Sequence, residues 1–267
     1  MSAVLLLKLS LVPALIAAIT LAGRRWGPTV AGWLSAFPVV SGPILLFIAM
    51  EQGAAFAATS AAGTLSAVLA ILAFGICYAW AATRFSWPVS LAAGFGGYFI
   101  AVAALHLWTP SLPYSMPAVL IALWLAPRLY PQRSLPQHGK PAAANDILFR
   151  MAAGAVLVLA VTHFAAQMGP TLSGVFAMFP VMGSVLVVFS HRHSGAAFAI
   201  HLLRGMILGY YAFGAFCAVL ALTLRSIDLA PAFLVSITAA VLVQAVSRLQ
   251  LQRAQRHAST DAVSGER

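Results

Sequence analysis

Long apolar stretches, punctuated by short polar or glycine- and proline-bearing breaks, run the length of the chain. Runs near spanning length, about 17–25 residues, fall at 4–22, 30–50, 55–81, 88–108, 112–130, 147–166, 171–190, 196–223 and 229–247. They predict nine transmembrane helices. The fifth is the shortest and is interrupted by Pro113 and Pro117. The first carries Lys8, as a signal peptide would, but it runs into Gly23-Arg24-Arg25 without a small-residue cleavage site and is read as a retained helix. One polar linker, residues 131–146 (PQRSLPQHGKPAAAND), holds three prolines and divides the chain almost in half. The polar tail after Arg248 is expected to fray.

Composition narrows the class. Hydrophobic residues make up 62% of the 267 positions and charged residues 7%, and mean hydropathy is +0.95. A soluble domain carries roughly 25% charged residues, so this chain cannot cover a water-exposed surface. A disordered chain and a disulfide scaffold are excluded too, and a polytopic all-α membrane bundle remains. Cys77 and Cys217 both lie in apolar runs. The net charge of +10 is read as basic loops facing the cytoplasm, with no nucleic-acid partner.

The basic residues set an orientation. With the N-terminus outside, twelve fall on the inner side: Arg24, Arg25, Arg84, Arg128, Arg133, Lys140, Arg150, Arg192, Arg248, Arg253, Arg256 and Arg267. Only Lys8 and Arg225 fall outside, and Arg204 lies within a helix. That bias places the chain in the inner membrane as a multi-pass protein with its C-terminus in the cytoplasm, and it favours an odd helix count.

Residues 27–57 (GPTVAGWLSAFPVVSGPILLFIAMEQGAAFA) align without a gap on residues 169–199 (GPTLSGVFAMFPVMGSVLVVFSHRHSGAAFA). The offset is 142, with thirteen identities in 31 positions, including Gly27/Gly169, Pro28/Pro170, Gly32/Gly174, Phe37/Phe179 and Pro38/Pro180. Apolar low-complexity sequence does not produce a shared GPTxxGxxxxFPV by chance. The reading is two four-helix repeats, 1–108 and 147–248, joined by a linking helix and a cytoplasmic Pro-rich loop at 109–146, with a cytoplasmic tail at 249–267. Equivalent helices are five apart, so they cross in opposite directions, as in inverted-topology repeats of secondary transporters. The core (A/S)GxxxxFP, carried by Gly32, Phe37 and Pro38 and again by Gly174, Phe179 and Pro180, resembles GlpM-type small inner-membrane proteins. Those are single four-helix units, so the resemblance implies a tandem GlpM-like protein; it supplies no substrate.

Candidate chemistry gathers at the two prolines. Pro38 and Pro180 sit about nine residues into helices 2 and 7, close to mid-membrane at ~1.5 Å per residue. A helix-interior proline frees the carbonyl four residues earlier, here Leu34 and Phe176. Ser35, Ser41 and Gly42 crowd the first break, Ala177, Gly183 and Ser184 the second. Irregular backbone at that depth requires burial in protein or a watery cavity, so the breaks read either as a central binding site or as packing kinks. Pro28 and Pro170 read as first-turn residues of their helices. Arg204, about ~12 Å into helix 8, has His201 one turn earlier and no carboxylate predicted at its depth. Its partners would be freed carbonyls, water, lipid phosphate or an anionic substrate, and its face is expected to turn toward the break of helix 2 or 7. His191-Arg192-His193 reads as a basic inner loop with no acid nearby to complete a metal site. His106 and His163 are placed at the outer interface. Ala54/Ala58/Ala62, Gly205/Gly209 and Gly94/Gly96/Gly97 are small-residue faces for close helix packing.

No nucleophile–base pair, metal box or cofactor fingerprint stands out, so no enzyme, cofactor or metal is expected. The first functional reading is a small secondary transporter or permease with a central substrate site of Arg204, His201, Phe37, Pro38, Phe179, Pro180, Ser35, Ser41 and Ser184, taking a small substrate for which an anion would suit Arg204. The alternative is a non-transporting membrane factor that binds lipid or assists an envelope pathway. Membrane lipids are partners in both. A transporter predicts a polar, water-accessible cavity at both breaks; a lipid-binding factor predicts dry, packed kinks and a large apolar lateral groove.

Overall fold

The computed structural model describes residues 3–38, 40–108, 112–134, 146–167 and 179–264. All regular structure among them is helical: α1 (Ala3–Trp26), α2 (Pro28–Ser35), α3 (Ser41–Gln52), α4 (Ala54–Ala82), α5 (Trp87–Trp108), α6 (Leu112–Leu129), α7 (Asp146–Gln167), α8 (Val181–Thr223) and α9 (Leu229–Ser264). Among the described residues six segments are long and apolar enough to cross a membrane: Leu9–Trp26, Ala54–Ala82, Trp87–Leu107, Leu112–Leu129, Val181–Thr223 and Leu229–Leu249.

The hydropathy pattern gave nine spans, and the difference has local causes. The second run is two short helices, α2 and α3, because Pro38 cannot donate to a helical ladder. The seventh and eighth runs join in the 43-residue α8, interrupted only at Gly195. The His191-Arg192-His193 stretch is therefore helical and not a loop. The sixth run corresponds to α7, several of whose side chains lie outside the described residues. The tail expected to fray continues α9 to Ser264. Of the linker, 135–145 lies outside the described residues, as do Val39 and the GPT turn, Gly174, Phe176 and Ala177 of the second copy.

Glycine makes the sharp corners. Gly27, Gly53 and Gly195 have φ of 88°, 88° and 86°, with ψ of 171°, 163° and 170°. Only glycine occupies that region without strain. Each corner is a single residue: Gly53 N–H donates to Ala49 O, and Ala57 N–H donates back to Gly53 O. Pro28 follows Gly27 at the first turn of α2, where its missing N–H costs nothing.

The core is built around α8, which packs on α2, α4, α6, α7 and α9. Its partners pack by two different routes. Against α4 the contact is side chain on side chain, with Leu65, Phe74, Ile200, Ile207 and Phe216 fully buried. Against α2 it is backbone on backbone. A Cβ at Gly205 would overlap Thr29 O, one at Gly209 would overlap Trp33 O, and one at Gly32 would overlap Leu202 O. In the small-residue stripe of α4 the buried members are Ala57, Ala58 and Ala61, whereas Ala54 is exposed. Gly94 and Gly97 of α5 accept Phe74 and Cys77 of α4, and Gly96 faces open space.

Two helix pairs cross antiparallel. A Cβ at Gly75 would sit 3.6 Å from Leu203 Cδ2, and one at Gly214 would sit 3.5 Å from Leu65 Cδ1. Positions therefore fall along α4 as they rise along α8. In the same way Gly154 of α7 meets Ile16 of α1, while Arg24 at the end of α1 lies near Arg150 at the start of α7. These are the pairs that the 142-residue offset relates.

Candidate functional site

At the Phe37–Pro38 break Phe37 is half-buried. Pro38 is buried. The carbonyl of Leu34, which sequence reasoning leaves free, accepts the Phe37 N–H at 3.3 Å. Residues 36–38 turn out of the helix instead of bending it, so a nearer N–H replaces the one proline lacks. Ser35 Oγ donates to Gly32 O at 2.7 Å and Ser184 Oγ to Val181 O at 3.0 Å. Both hydroxyls are thereby committed to their own backbone. Ser41 opens α3 and is half-buried. At the second break Pro180 caps α8. Phe179 is packed among rings of α5, with centroids 4.8 Å from Phe95, 5.8 Å from Tyr98 and 6.3 Å from Phe99.

Arg204 and His201 do not join the Phe37–Pro38 break. The face of α8 on α2 is Leu202, Gly205, Met206 and Gly209, and at 3.6 residues per turn Arg204 lies about 150° around the helix from its centre. Arg204 is half-buried beside Tyr130, whose phenol also neighbours Cys77 and Tyr210. His201 Nε2 is 2.7 Å from Arg133 O. Arg133 also donates to Thr83 O at the end of α4, so this chain segment ties the end of α4 to the start of the second half of α8.

A carboxylate does reach the His-Arg-His stretch. Asp146, 47 positions away in sequence, is 4% exposed and accepts Arg150 Nε on Oδ2 at 2.6 Å. His193 Nε2 stands 3.0 Å from Oδ1, an ion-pair distance without the alignment of a hydrogen bond. Arg150, 3% exposed, also lies over the Phe189 ring at 5.4 Å. Beside it, Tyr78 OH and His191 Nδ1 are 3.1 Å apart. Sequence reasoning missed this cluster because α7 meets α8 only through the fold. Among the described residues no three His, Cys, Asp or Glu side chains converge as a metal site. His106 and His163 are exposed, as is Glu51 at the end of α3.

A lateral opening lies elsewhere, between α1 and α9. It is a cavity of about 830 Å³ with Leu15, Ala18, Ile19, Ala22 and Trp26 on one wall and Val241, Gln244, Ala245, Arg248 and Leu249 on the other. Trp33, Leu34 and Phe37 of α2, with Met182 of α8, form its floor. Trp26, Val241 and Leu249 are exposed, so the groove opens laterally. Its lining is apolar except for Gln244, Arg248 and the Trp26 indole, and the Arg25 guanidinium lies 5.7 Å from the Trp26 ring centroid. Gln244 Nε2 donates to Trp33 O at 3.2 Å, and Trp33 Nε1 donates to Ser247 Oγ at 2.8 Å. That short network pins α9 to α2 beneath the groove.

Shifted by 142 positions, the ring cluster Phe95, Tyr98 and Phe99 that packs Phe179 becomes Ile237, Ala240 and Val241 of α9. Of these three, Val241 lines the groove with Phe37, whereas Phe179 packs against all three rings. The chain matches no protein-family model, no curated protein and no solved structure.

Proposed function

We infer that this chain is an integral membrane protein that binds a lipid-like amphipathic molecule in the lateral groove between α1 and α9. The observation that carries the reading is the groove itself: about 830 Å³, within the ~300–1,000 Å³ of ligand cavities, and apolar apart from Gln244, Arg248 and the Trp26 indole. Burying an acyl chain there recovers about 25 cal/mol per Å² of apolar surface relative to water. Its value relative to bulk lipid comes from shape and from its polar groups. At the Phe37–Pro38 break, where a transporter's site was expected, Pro38 is buried and the Ser35 hydroxyl bonds its own backbone. Phe37 serves as floor of the groove.

A groove-filling substitution tests the reading. Val241→Phe should place a ring where Phe99 stands at the corresponding position of the other half. We expect it to reduce co-purifying and re-added lipid, measured by native mass spectrometry, about tenfold or more. Val246→Phe, exposed on α9 and outside the groove, should leave binding unchanged. Equal lipid retention in Val241→Phe and the parent would remove the groove from the function.

A carrier reading has its own support. α1 with α7, and α4 with α8, cross antiparallel at matching positions, and the corners at Gly53 and Gly195 share one backbone conformation. The starts of α1, α4 and α5 recur 142 or 143 residues later at α7, the second half of α8 and α9. A tandem of GlpM-type four-helix units in inverted topology would have that spacing, and inverted units are the plan of many carriers. On this reading the bound amphiphile is cargo. The orientation follows the basic residues, so reporters fused after residue 138 and at the C-terminus should both report cytoplasm. A periplasmic signal from either would reverse the topology.

A further inference from the structure

We propose that the corner where the ends of α4 and α6 meet α8 is a headgroup site for an anionic phospholipid, with Arg204 as the contact to its phosphate. The site is separate from the groove. Short contacts build the corner. Tyr130, just past α6, lies against Gly75 of α4, and a Cβ at Gly75 would also sit 3.6 Å from Leu203 Cδ2 of α8. Trp80 Nε1 donates to Leu129 O at 2.8 Å. Arg133 donates to Thr83 O at 3.5 Å, and its own carbonyl is 2.7 Å from His201 Nε2. His201 is one turn from Arg204, and Arg84 and Arg133 are exposed beside them. The described acidic side chains are elsewhere: Glu51 is in the last turn of α3, Asp146 binds Arg150 and Asp228 precedes α9.

Two observations give the site its occupant. Arg204 is half-buried, and among the described residues it makes no hydrogen bond or ion pair. Arg128, at the same end of α6, donates to Trp124 O at 3.0 Å and lies 4.2 Å from its ring centroid. Arg204 stands past the Gly195 corner by ~13 Å along α8, where a guanidinium is costly until an acceptor reaches it. A phosphate meets it in a forked, charge-assisted contact. The second observation is the half-buried row that continues from Arg204 along α8. Leu208, Tyr211 and Ala215 carry no charge and lead away from the corner. An acyl chain attached to that phosphate would lie along the row, whereas a water-borne anion would gain nothing from it. Basic pockets between spanning helices on the cytoplasmic side suit lipid headgroups for these reasons.

Purified protein in neutral detergent would be offered dioleoylphosphatidylglycerol or dioleoylphosphatidylcholine, equal in chains and different in charge, with occupancy read by native mass spectrometry. We expect Arg204→Gln to lower phosphatidylglycerol binding about tenfold and to leave phosphatidylcholine binding unchanged. The same loss should appear in an Arg248→Gln background, so failure of the groove reading would not touch this site. Arg225→Gln, in the turn between α8 and α9, should change nothing. Arg204→Lys keeps a point charge without the fork and should lose part of the preference. Equal phosphatidylglycerol binding by Arg204→Gln and the parent would overturn the site. A Lys variant identical to the parent would overturn the forked contact, and it decides the matter even if the Gln variant does not fold. Displacement of the lipid by excess inorganic phosphate would overturn the phospholipid as occupant in favour of a water-borne anion.

Discussion

Gly205→Ala is expected to cost about 1–3 kcal/mol or more of stability, seen as a lower unfolding midpoint in detergent and a smaller folded fraction on size exclusion. The added methyl would strike Thr29 O, with Thr29 C and Cα directly behind it. No rotamer can absorb the clash, because the obstructing atoms are backbone. α2 must move away from α8, and that loosens Gly209 and Gly32 as well, since each meets backbone of the partner helix. Gly32→Ala should therefore fail in the same way from the other side. Gly214→Ala is the control on the same helix. Its new methyl would meet Leu65 Cδ1 at an ordinary 3.5 Å, and removing a mid-helix glycine recovers roughly 0.5–1 kcal/mol of backbone entropy. A Gly205→Ala protein as stable as the parent would mean that the α2–α8 crossing is not the tight seam described above.

Asp146→Ala should destabilise by about 3–5 kcal/mol, because it leaves the Arg150 guanidinium buried without its carboxylate. The partner is 2.6 Å away with both side chains nearly sealed from solvent. The remaining stacking on Phe189 cannot replace the charge. Removing both charges together, Asp146→Leu with Arg150→Met, should recover most of the loss, since a buried ion pair often breaks even against well-packed apolar side chains. The unfolding midpoints of the single and double variants decide the matter. Additive losses in the double variant would show that the two residues act independently.

These two sites mark what the sequence could and could not reveal. The glycine seam was legible. Gly205 and Gly209 stand four apart in an apolar run, and small residues at that spacing exist to let backbones meet. Pro28 and Pro38 were legible for the same kind of reason, since a missing N–H has a fixed consequence wherever it falls. The Asp146 cluster was not, because charge in a linker reads as a solvated loop until the fold turns α7 onto His193. Arg204 lies about 150° around α8 from the face that packs on α2, and that face could not be inferred from α8 alone. The His-Arg-His stretch looked like a loop because polar residues usually mark one. Gly195 makes a corner of a single residue and leaves His191 and His193 helical. The groove was not legible, because it forms only where α1 and α9 lie apart in the fold.

The corners at Gly53 and Gly195 also fix how the molecule must sit in its solvent. α4, with 29 residues, is ~43 Å long, well beyond a hydrocarbon core of about 30 Å. α2 and α3, of 8 and 12 residues, measure ~12 and ~18 Å, so neither can cross alone. A helix that is too long leans or thickens the bilayer, and one that is too short thins it. Here the two kinds are joined through one glycine, so the mismatch is opposite on neighbouring faces of one protein. If the chain spans a bilayer, the lipid boundary beside the partly exposed α3 would differ in height from that beside α4. Bilayer thickness thereby becomes a variable to which this fold responds, independent of any ligand.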